Sequence, residues 1–527
     1  MEQANKEWLP HLEDAVPQKA KGYTLSMYSI ALEAWRRGIT VKFYNTTEKK
    51  SRLRYSLSYE GKEYTFVGSR GSIVPREAIK ICIDKHLTKK YLLRAGIPVP
   101  EGEEYSGEVP DEEIVEYSKR LGYPLVIKPS KGTGGKGVIA NIRSEEEFRS
   151  ALSYVRNDLN YPEVIVERYA VGIDHRVFVI GNEVIGAFKR IPANVVGDGV
   201  NTIRTLLRVK NKERDKNPSL NGLPITIDKE VHSTLEKVGY TLDSIPKEGE
   251  RVFLKTKNNV SSGGDSTDAT DDLSDEIKKI AIDACKAIPG LIQCGIDMII
   301  DYETNTVSIL EINSRASVRN HLFPMEGKAR DIPKAIIDYY FPETKGKRKN
   351  LLYYFDFDTI HDAFRRGVAN EFLVPSLPTG NIDSRRFLLS KKQSSTSFDK
   401  WVQKQARELK LNGYIKHLKN NKTSIIVSGC VESVDHFREI VNNRLPKKYK
   451  VTRVDEKNWD KPIKIGFEIK EPSISYKESE LQVLSKELKE LQKERNLYKK
   501  KYQEIQKSTS WKVTKPLRAM ASLIKMR

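Results

Sequence analysis

Leu125-Val126-Ile127-Lys128-Pro129-Ser130-Lys131-Gly132-Thr133-Gly134-Gly135-Lys136-Gly137-Val138-Ile139-Ala140 reads as a buried strand delivering a lysine, a glycine-rich loop and a second strand. Four glycines in six residues let successive backbone N–H groups point at one acceptor, and the lysines supply countercharge. A loop between two strands is neither a Walker loop nor a dinucleotide-binding turn, because both of those open a helix. The stretch therefore predicts a phosphate-handling hairpin in a mixed α/β protein.

The partner stretch lies further on. Cys294-Gly295-Ile296-Asp297-Met298-Ile299-Ile300 reads as a strand carrying Asp297. After a turn at 301–305, Val307-Ser308-Ile309-Leu310-Glu311-Ile312-Asn313 returns as a second strand, with Glu311 and Asn313 on one face. Asp297, Glu311 and Asn313 form an all-oxygen set suited to Mg²⁺, which takes one or two carboxylates together with substrate phosphates.

Strand–Lys–Gly-rich loop–strand followed by Asp…Glu-x-Asn resembles the ATP-grasp ligases, over roughly residues 80–345. The likeness is nearest to the ATP-grasp modules of cyanophycin synthetase and bifunctional glutathione synthetase. It is carried further by Asp84-Lys85-His86-Leu87-Thr88-Lys89, Arg190-Ile191-Pro192-Ala193-Asn194-Val195-Val196-Gly197-Asp198-Gly199, Ser261-Ser262-Gly263-Gly264-Asp265 and His321-Leu322-Phe323-Pro324. The resemblance implies ATP with two Mg²⁺ ions (Mn²⁺ as an alternative) and activation of a carboxylate as an acyl phosphate, then attack by an amine.

It also implies site roles. Lys85, Lys128 and Lys131 meet phosphates, with a solvated helix face the alternative for Lys85. Gly132, Gly134, Gly135 and Gly137 form the lid. Val166-Glu167-Arg168-Tyr169 is the interdomain hinge, whose backbone reads the adenine edge, while Glu167 or Asp174 binds adenine or ribose groups. Lys189 or Arg190 stabilises the transferring phosphoryl group, and Asp297, Glu311 and Asn313 hold the metal. The chain departs from the family after Glu-x-Asn, reading Asn313-Ser314-Arg315-Ala316-Ser317-Val318-Arg319 where a proline turn is usual. Arg315, the third catalytic candidate, and Arg319 are expected either to clamp a substrate carboxylate or phosphate or to pair with acids of the domain. His321 is equally a core histidine or a substrate contact.

The chain has 527 residues and 38% apolar residues, which excludes a mostly disordered chain and a small disulfide scaffold. No stretch approaches the ~20 apolar residues of a membrane span. The amino-terminal residues are acidic where a signal peptide is basic, and the four cysteines form no Cys-x-x-Cys. A reduced, cytoplasmic protein is expected. The 91 basic and 71 acidic residues give +20, of which residues 1–350 contribute only +4. The charge thus does not mark the core as a nucleic-acid binder.

The expected organisation is an N-terminal α/β region (1–79), the ATP-grasp domain (80–345) and a connector (346–384). An acylphosphatase-like βαββαβ domain (385–470), a coiled coil (478–507) and a basic tail (508–527) follow. Phe398, Trp401-Val402-Gln403-Lys404-Gln405-Ala406-Arg407-Glu408-Leu409 and Leu411-Asn412-Gly413-Tyr414-Ile415 carry the acylphosphatase resemblance. That family places a phosphate-binding arginine and a water-positioning asparagine where this chain has Asp399 and His417, so the domain is expected to be inert as a phosphatase. The heptad seam Leu481, Leu484, Leu488, Leu491, Arg495, Tyr498, Tyr502, Ile505 predicts self-association. The tail, with Leu517, Met520, Ala521 and Ile524 on one face, suits contact with an anionic membrane surface or polyanion. A non-catalytic nucleotide-binding scaffold is the alternative to the ligase.

Overall fold

The computed structural model describes residues 6–46, 53–131, 136–349, 351–391, 396–418, 422–449 and 451–470, with isolated positions 492, 495, 496, 498, 499 and 503. Gly132, Gly134, Gly135 and the basic tail lie outside the described residues, as does the coiled-coil seam apart from Arg495 and Tyr498.

Two sheets frame the expected nucleotide site. The larger has five strands: Asp265–Asp268, Glu183–Ile191, Ile173–Ile180, Gln293–Asp301 and Thr306–Asn313, in that spatial order. The last four run antiparallel to their neighbours, and Asp297 pairs directly with Glu311 while Gly295 pairs with Asn313. Strand alternation then divides the sheet by chemistry. Val177, Val179, Ala187, Ile296, Met298, Ile300 and Ile312 pack against the helices Arg76–Ile83 and Asp275–Lys286. Each buried aliphatic side chain there contributes roughly 1.5–3 kcal/mol. The opposite face presents Asp174, Arg176, Arg190 and Asp297, half-buried or buried. The smaller sheet contains Gly102–Tyr105, Val164–Arg168, Leu125–Pro129 and Ile139–Ile142. It places Lys128 beside Ile165, with Val126 opposite Glu167.

The spacing over residues 80–95 predicts one amphipathic helix stopped by Gly96 and Pro98, but the structure has two, Arg76–Ile83 and Lys85–Arg94. Asp84 is extended (φ −90°, ψ 105°) and its carboxylate accepts from Leu87 N, capping a new helix over Lys85–Arg94. Local capping outweighs the continuous periodicity at this point.

The N-terminal unit is larger than the sequence suggests. Its helix Leu25–Arg36 is buried on all sides, and its sheet of Thr40–Asn45, Leu53–Tyr59, Lys62–Val67 and Arg70–Gly71 gains an edge strand, Glu371–Leu373, from the expected connector. Phe355 and Phe357 enter the same core, packing on Tyr28 and Phe43. The basic cluster Lys345-Gly346-Lys347-Arg348-Lys349, which by sequence marks a boundary, is likewise tied into the fold. Arg348 pairs with Glu33 and Asp331, and Lys349 N bonds Arg36 O. Connector residues thus fold into the first domain, because their aromatics find its core.

The acylphosphatase-like unit has the expected βαββαβ order, with helices Thr396–Glu408 and Val431–Asn443 over one face of its sheet. Ile426 and Ile463 join the core of the N-terminal unit, and Tyr353 Oη lies 2.6 Å from Ser428 Oγ.

Candidate active site

A cleft between the smaller sheet and the Thr306–Asn313 strand is lined by Lys85, Lys89, Lys128, Glu104, Glu167 and Glu311, with aliphatic walls from Val99, Ile165 and Ile309. Glu167 sits at its centre, buried, and its two carboxylate oxygens are held by Lys128 and by Lys89, the latter at 3.1 Å. Burial pushes the Glu167 carboxyl up, but the two ammonium groups outweigh it and hold its pKa below the ordinary range. Opposing charges therefore line a cleft that also has an apolar wall, which suits a nucleoside with its phosphates.

Around the corner, Asp297 is buried and bound by two arginines. Arg190 Nη2 reaches Oδ1 at 2.6 Å, Arg176 Nη2 reaches Oδ2 at 2.9 Å, and Arg176 Nε also contacts Oδ1. Burial raises the Asp297 carboxyl, yet Arg176 and Arg190 prevail and its pKa is lowered. Asp174 accepts from Arg190 at 3.3 Å; its burial dominates, and its pKa is raised. Glu311 and Asn313 have no side-chain hydrogen bond among the described residues, so their oxygens remain available.

This arrangement tests the expected metal. No cluster of three His, Cys, Asp or Glu side chains suited to an ion occurs among the described residues. The available donors are instead Glu311 and Asn313, with Asp297 across the ladder able to join them only by exchanging an arginine. An all-oxygen set with two carboxylates fits Mg²⁺ that completes its shell with phosphates and water.

Several expected residues stand elsewhere. Lys189 alternates to the opposite sheet face, where it pairs with Asp272 at 2.7 Å and lies over Tyr302. It cannot share a phosphoryl group with Arg190, and its expected catalytic role is corrected on that ground. Asp174 belongs to the arginine cluster, not to the cleft, so its expected adenine or ribose contact is also corrected. Tyr169 is half-buried and does not line the cleft; its backbone N bonds Pro124 O. Lys131 is exposed and paired with Glu163 at 2.7 Å, and that hydrogen bond raises its pKa. Gly137 takes φ +74°, at the start of the returning strand.

His321 is a core histidine. It is 2% exposed with both ring nitrogens unpartnered, set edge-on to Phe178 and Phe188. Burial first, then Arg176, Arg190 and Arg330, lower its pKa to about 3. Neither Arg315 nor Arg319 pairs with an acid among the described residues.

Three residues escaped the sequence reading. Lys89 lies four residues after Lys85, hence on the same helix face. Arg176 lies two residues after Asp174, hence on the same strand face. Both were signalled by spacing. Arg70, which donates to Ser314 Oγ at 3.0 Å, had no local signal.

Residues 70–328 match the family model of sugar-transfer associated ATP-grasp, and residues 395–469 match the acylphosphatase family model. The chain carries an ATP-grasp domain and an acylphosphatase-like domain.

Among curated relatives, cyanophycin synthetase of Trichormus variabilis is 32% identical over 338 residues, covering 62% of this chain and 36% of the relative. The glutathione biosynthesis bifunctional protein GshAB of Mannheimia succiniciproducens is 30% identical over 332 residues, covering 60% and 43%. A bifunctional glutathione synthetase structure from Pasteurella multocida aligns with TM-score 0.46 and 28% identity, over 61% of this chain and 45% of that one. The chain thus spans less than half the length of these relatives.

In the acylphosphatase-like domain, His417 Nε2 lies 2.8 Å from Asp399 Oδ2 and Nδ1 lies 3.0 Å from Thr423 Oγ1. The two substituted side chains occupy each other. No helix among the described residues is long and apolar enough to cross a membrane.

Proposed function

We propose that this chain is an ATP- and Mg²⁺-dependent carboxylate–amine ligase working through an acyl phosphate. One observation carries the reading: a lysine–glutamate cleft opens beside a sheet face that gathers Arg176, Arg190, Asp297, Glu311 and Asn313. The sheet supplies cations for a transferring phosphoryl group and oxygens for its counter-ion in a single pleat.

In this reading ATP is the substrate of the first step. Lys128 and Lys89 turn from Glu167 to the phosphates, leaving Glu167 to accept from the nucleoside. A carboxylate oxygen of the acid substrate attacks the γ-phosphorus and ADP leaves. Arg190 and Arg176 hold the charge that spreads over the phosphoryl oxygens. The amine nitrogen then attacks the acyl carbon, inorganic phosphate departs, and the nitrogen loses a proton. When bound at Glu311, Asn313 and Asp297, Mg²⁺ supplies the positive charge the β- and γ-phosphates require, with Mn²⁺ as a substitute.

The sugar-transfer association named for the matching family model supports a setting in cell-surface polymer or peptide synthesis. The mutual occupation of Asp399 and His417 supports an acylphosphatase-like domain that leaves the acyl phosphate intact. The four free cysteines support a cytoplasmic location. The seam at 478–507 and the tail support a homo-oligomer held at the membrane's inner face.

The test is ADP release by the full chain with amino acids, small peptides and amino sugars as substrate pairs. Glu311→Gln is expected to cut turnover by about 10²–10³, as loss of one electrostatic transition-state contact does, while a fluorescent ATP analogue still binds. Wild-type turnover in Glu311→Gln would sink the ligase reading and leave a nucleotide-binding scaffold.

A further inference from the structure

The loop Ser314–Arg319 leaves the Glu311 strand directly after Asn313 and is pressed onto the sheet face that carries Asp297. The close approach depends on Gly295, where a Cβ would stand 2.4 Å from Ala316 Cβ and 3.1 Å from Arg176 Cδ. From the other side the loop is held by the N-terminal unit. Ser69 Oγ donates to Ala316 O at 2.6 Å, and Val318 N donates to Ser26 Oγ at 3.1 Å. Gly68 lies against the aliphatic stem of Arg315, 3.5 Å from where its Cβ would be, and Arg70 bonds Ser314.

Three guanidiniums result: Arg70 half-buried, Arg315 exposed and Arg319 only 5% exposed. None has a carboxylate in ion-pair range among the described residues, whereas Arg176, Arg190 and Arg330, on the adjoining sheet face and strand, all do. Arg319 is the sharpest case. Its Nε and Nη1 are buried with no hydrogen-bond partner, and its compensation is Tyr23, whose ring lies 4.5 Å away and whose hydroxyl bonds the guanidinium. Cation–π attraction of roughly 0.5–2 kcal/mol does not offset burying an unpaired charge. Burial, then the charge of Arg315, lowers the Arg70 pKa, as expected of two cations set side by side.

We propose that the Gly68–Arg70 turn and the Ser314–Arg319 loop form a site for a second anionic group, a carboxylate or phosphate, on one of the two ligase substrates. Arg70 and Arg315 bind it, and Arg319 is a further charge of the same loop that no carboxylate faces. The proposal rests on the ligase reading and narrows its substrate class. A substrate keeps a negative charge besides the carboxylate that is activated, as an amino acid, an acidic peptide, a uronic amino sugar or an amino sugar phosphate does. It also gives the N-terminal unit a task, since Arg70 and the serines that fix the loop come from its edge.

The test compares charged and neutral members of substrate pairs in ADP release by the full chain: amino acids against their amides, and amino sugar phosphates and uronates against plain amino sugars. The charged members are expected to be preferred, and the phosphate and carboxylate arms separate the two sources of charge. Arg70→Gln and Arg315→Gln are expected to raise KM for the charged member roughly 10- to 100-fold, the size of a lost charge-assisted hydrogen bond. Their kcat stays within about threefold, the signature of lost binding common to ground and transition states.

Equal use of neutral members, or unchanged KM in both variants, overturns the proposal. If no pair releases ADP although nucleotide binds, the ligase reading fails on its own. The anion site is then decided by melting temperature in saturating MgADP with added inorganic phosphate or citrate. A rise in wild type that is lost in Arg70→Gln and Arg315→Gln supports it; no rise, or equal rises in all three proteins, overturns it.

Discussion

Two groups of arginines stand within one loop's reach of each other and are treated in opposite ways. Arg176 and Arg190 share the buried Asp297, with Asp174 as a further partner of Arg190. Arg70, Arg315 and Arg319 have no acid in range among the described residues. In the first group each charge is solvated by another charge of the protein, so the cluster is stable without a ligand and must exchange partners to receive one. In the second group no carboxylate offsets the charge: Arg319 is buried against Tyr23, Arg70 is half-buried on Ser314, and Arg315 is exposed. The difference teaches that burial of an arginine says little by itself. Whether its partner is already in place separates a self-contained cluster from one waiting for an anion.

The comparison can be broken most directly at Asp297. Asp297→Ala leaves two buried guanidiniums facing each other, and we expect it to lower unfolding free energy by about 3–5 kcal/mol, the cost of stripping a buried pair of one partner. Chemical denaturation measures this, and a loss below about 1 kcal/mol would show that water already solvates the cluster.

The opposite sign is expected at Arg319. Arg319→Gln removes a buried charge that no carboxylate faces and releases only the exposed Tyr23, so unfolding free energy should rise by about 1 kcal/mol. A fall of the size expected for Asp297→Ala would mean that Arg319 is compensated after all.

The smallest effect concerns His321, which lies beneath the paired group. Its folded pKa of about 3 lies below the unfolded value near 6.5, so the unfolded chain binds more protons between these limits. Its contribution is fully present above pH 6.5 and declines as pH falls toward 3, by about 1.4 kcal/mol per pH unit at most. His321→Leu should flatten the acid side of the stability profile between pH 6 and 5, the upper part of that range. An unchanged slope in the variant would assign the acid sensitivity to the paired carboxylates instead. Asp297 and Glu167, whose pKa values are lowered, add stability that is lost as pH falls through those values.

Much of this was legible because it is local. Alternation places Glu311 and Asn313 on one face, the strands on either side of the glycine-rich loop pair as their apolar runs predict, and the βαββαβ order follows from short-range pattern. Errors arose where a local rule was applied one residue too loosely. Lys189 and Arg190 were weighed as equivalents, yet a strand sends neighbours to opposite faces, and only Arg190 meets Asp297. The helix over 80–95 was read through Asp84, where a cap divides it. The connector was read from its position between domains, while its aromatics belong to the N-terminal core.

The sequence by itself determined which groups are available: lysines and glycines on one hairpin, two carboxylates and an amide on adjacent strands, arginines after Asn313. Those are properties of residue type and spacing along one strand or helix. Only the tertiary structure decided which charges cancel. Asp297 meets Arg176 through a neighbouring strand, Glu167 meets Lys89 through a helix 78 residues away, and Arg70 reaches Ser314 across 244 residues. Electrostatic energy depends on distance in space and on exclusion of water, and neither is a property of sequence separation.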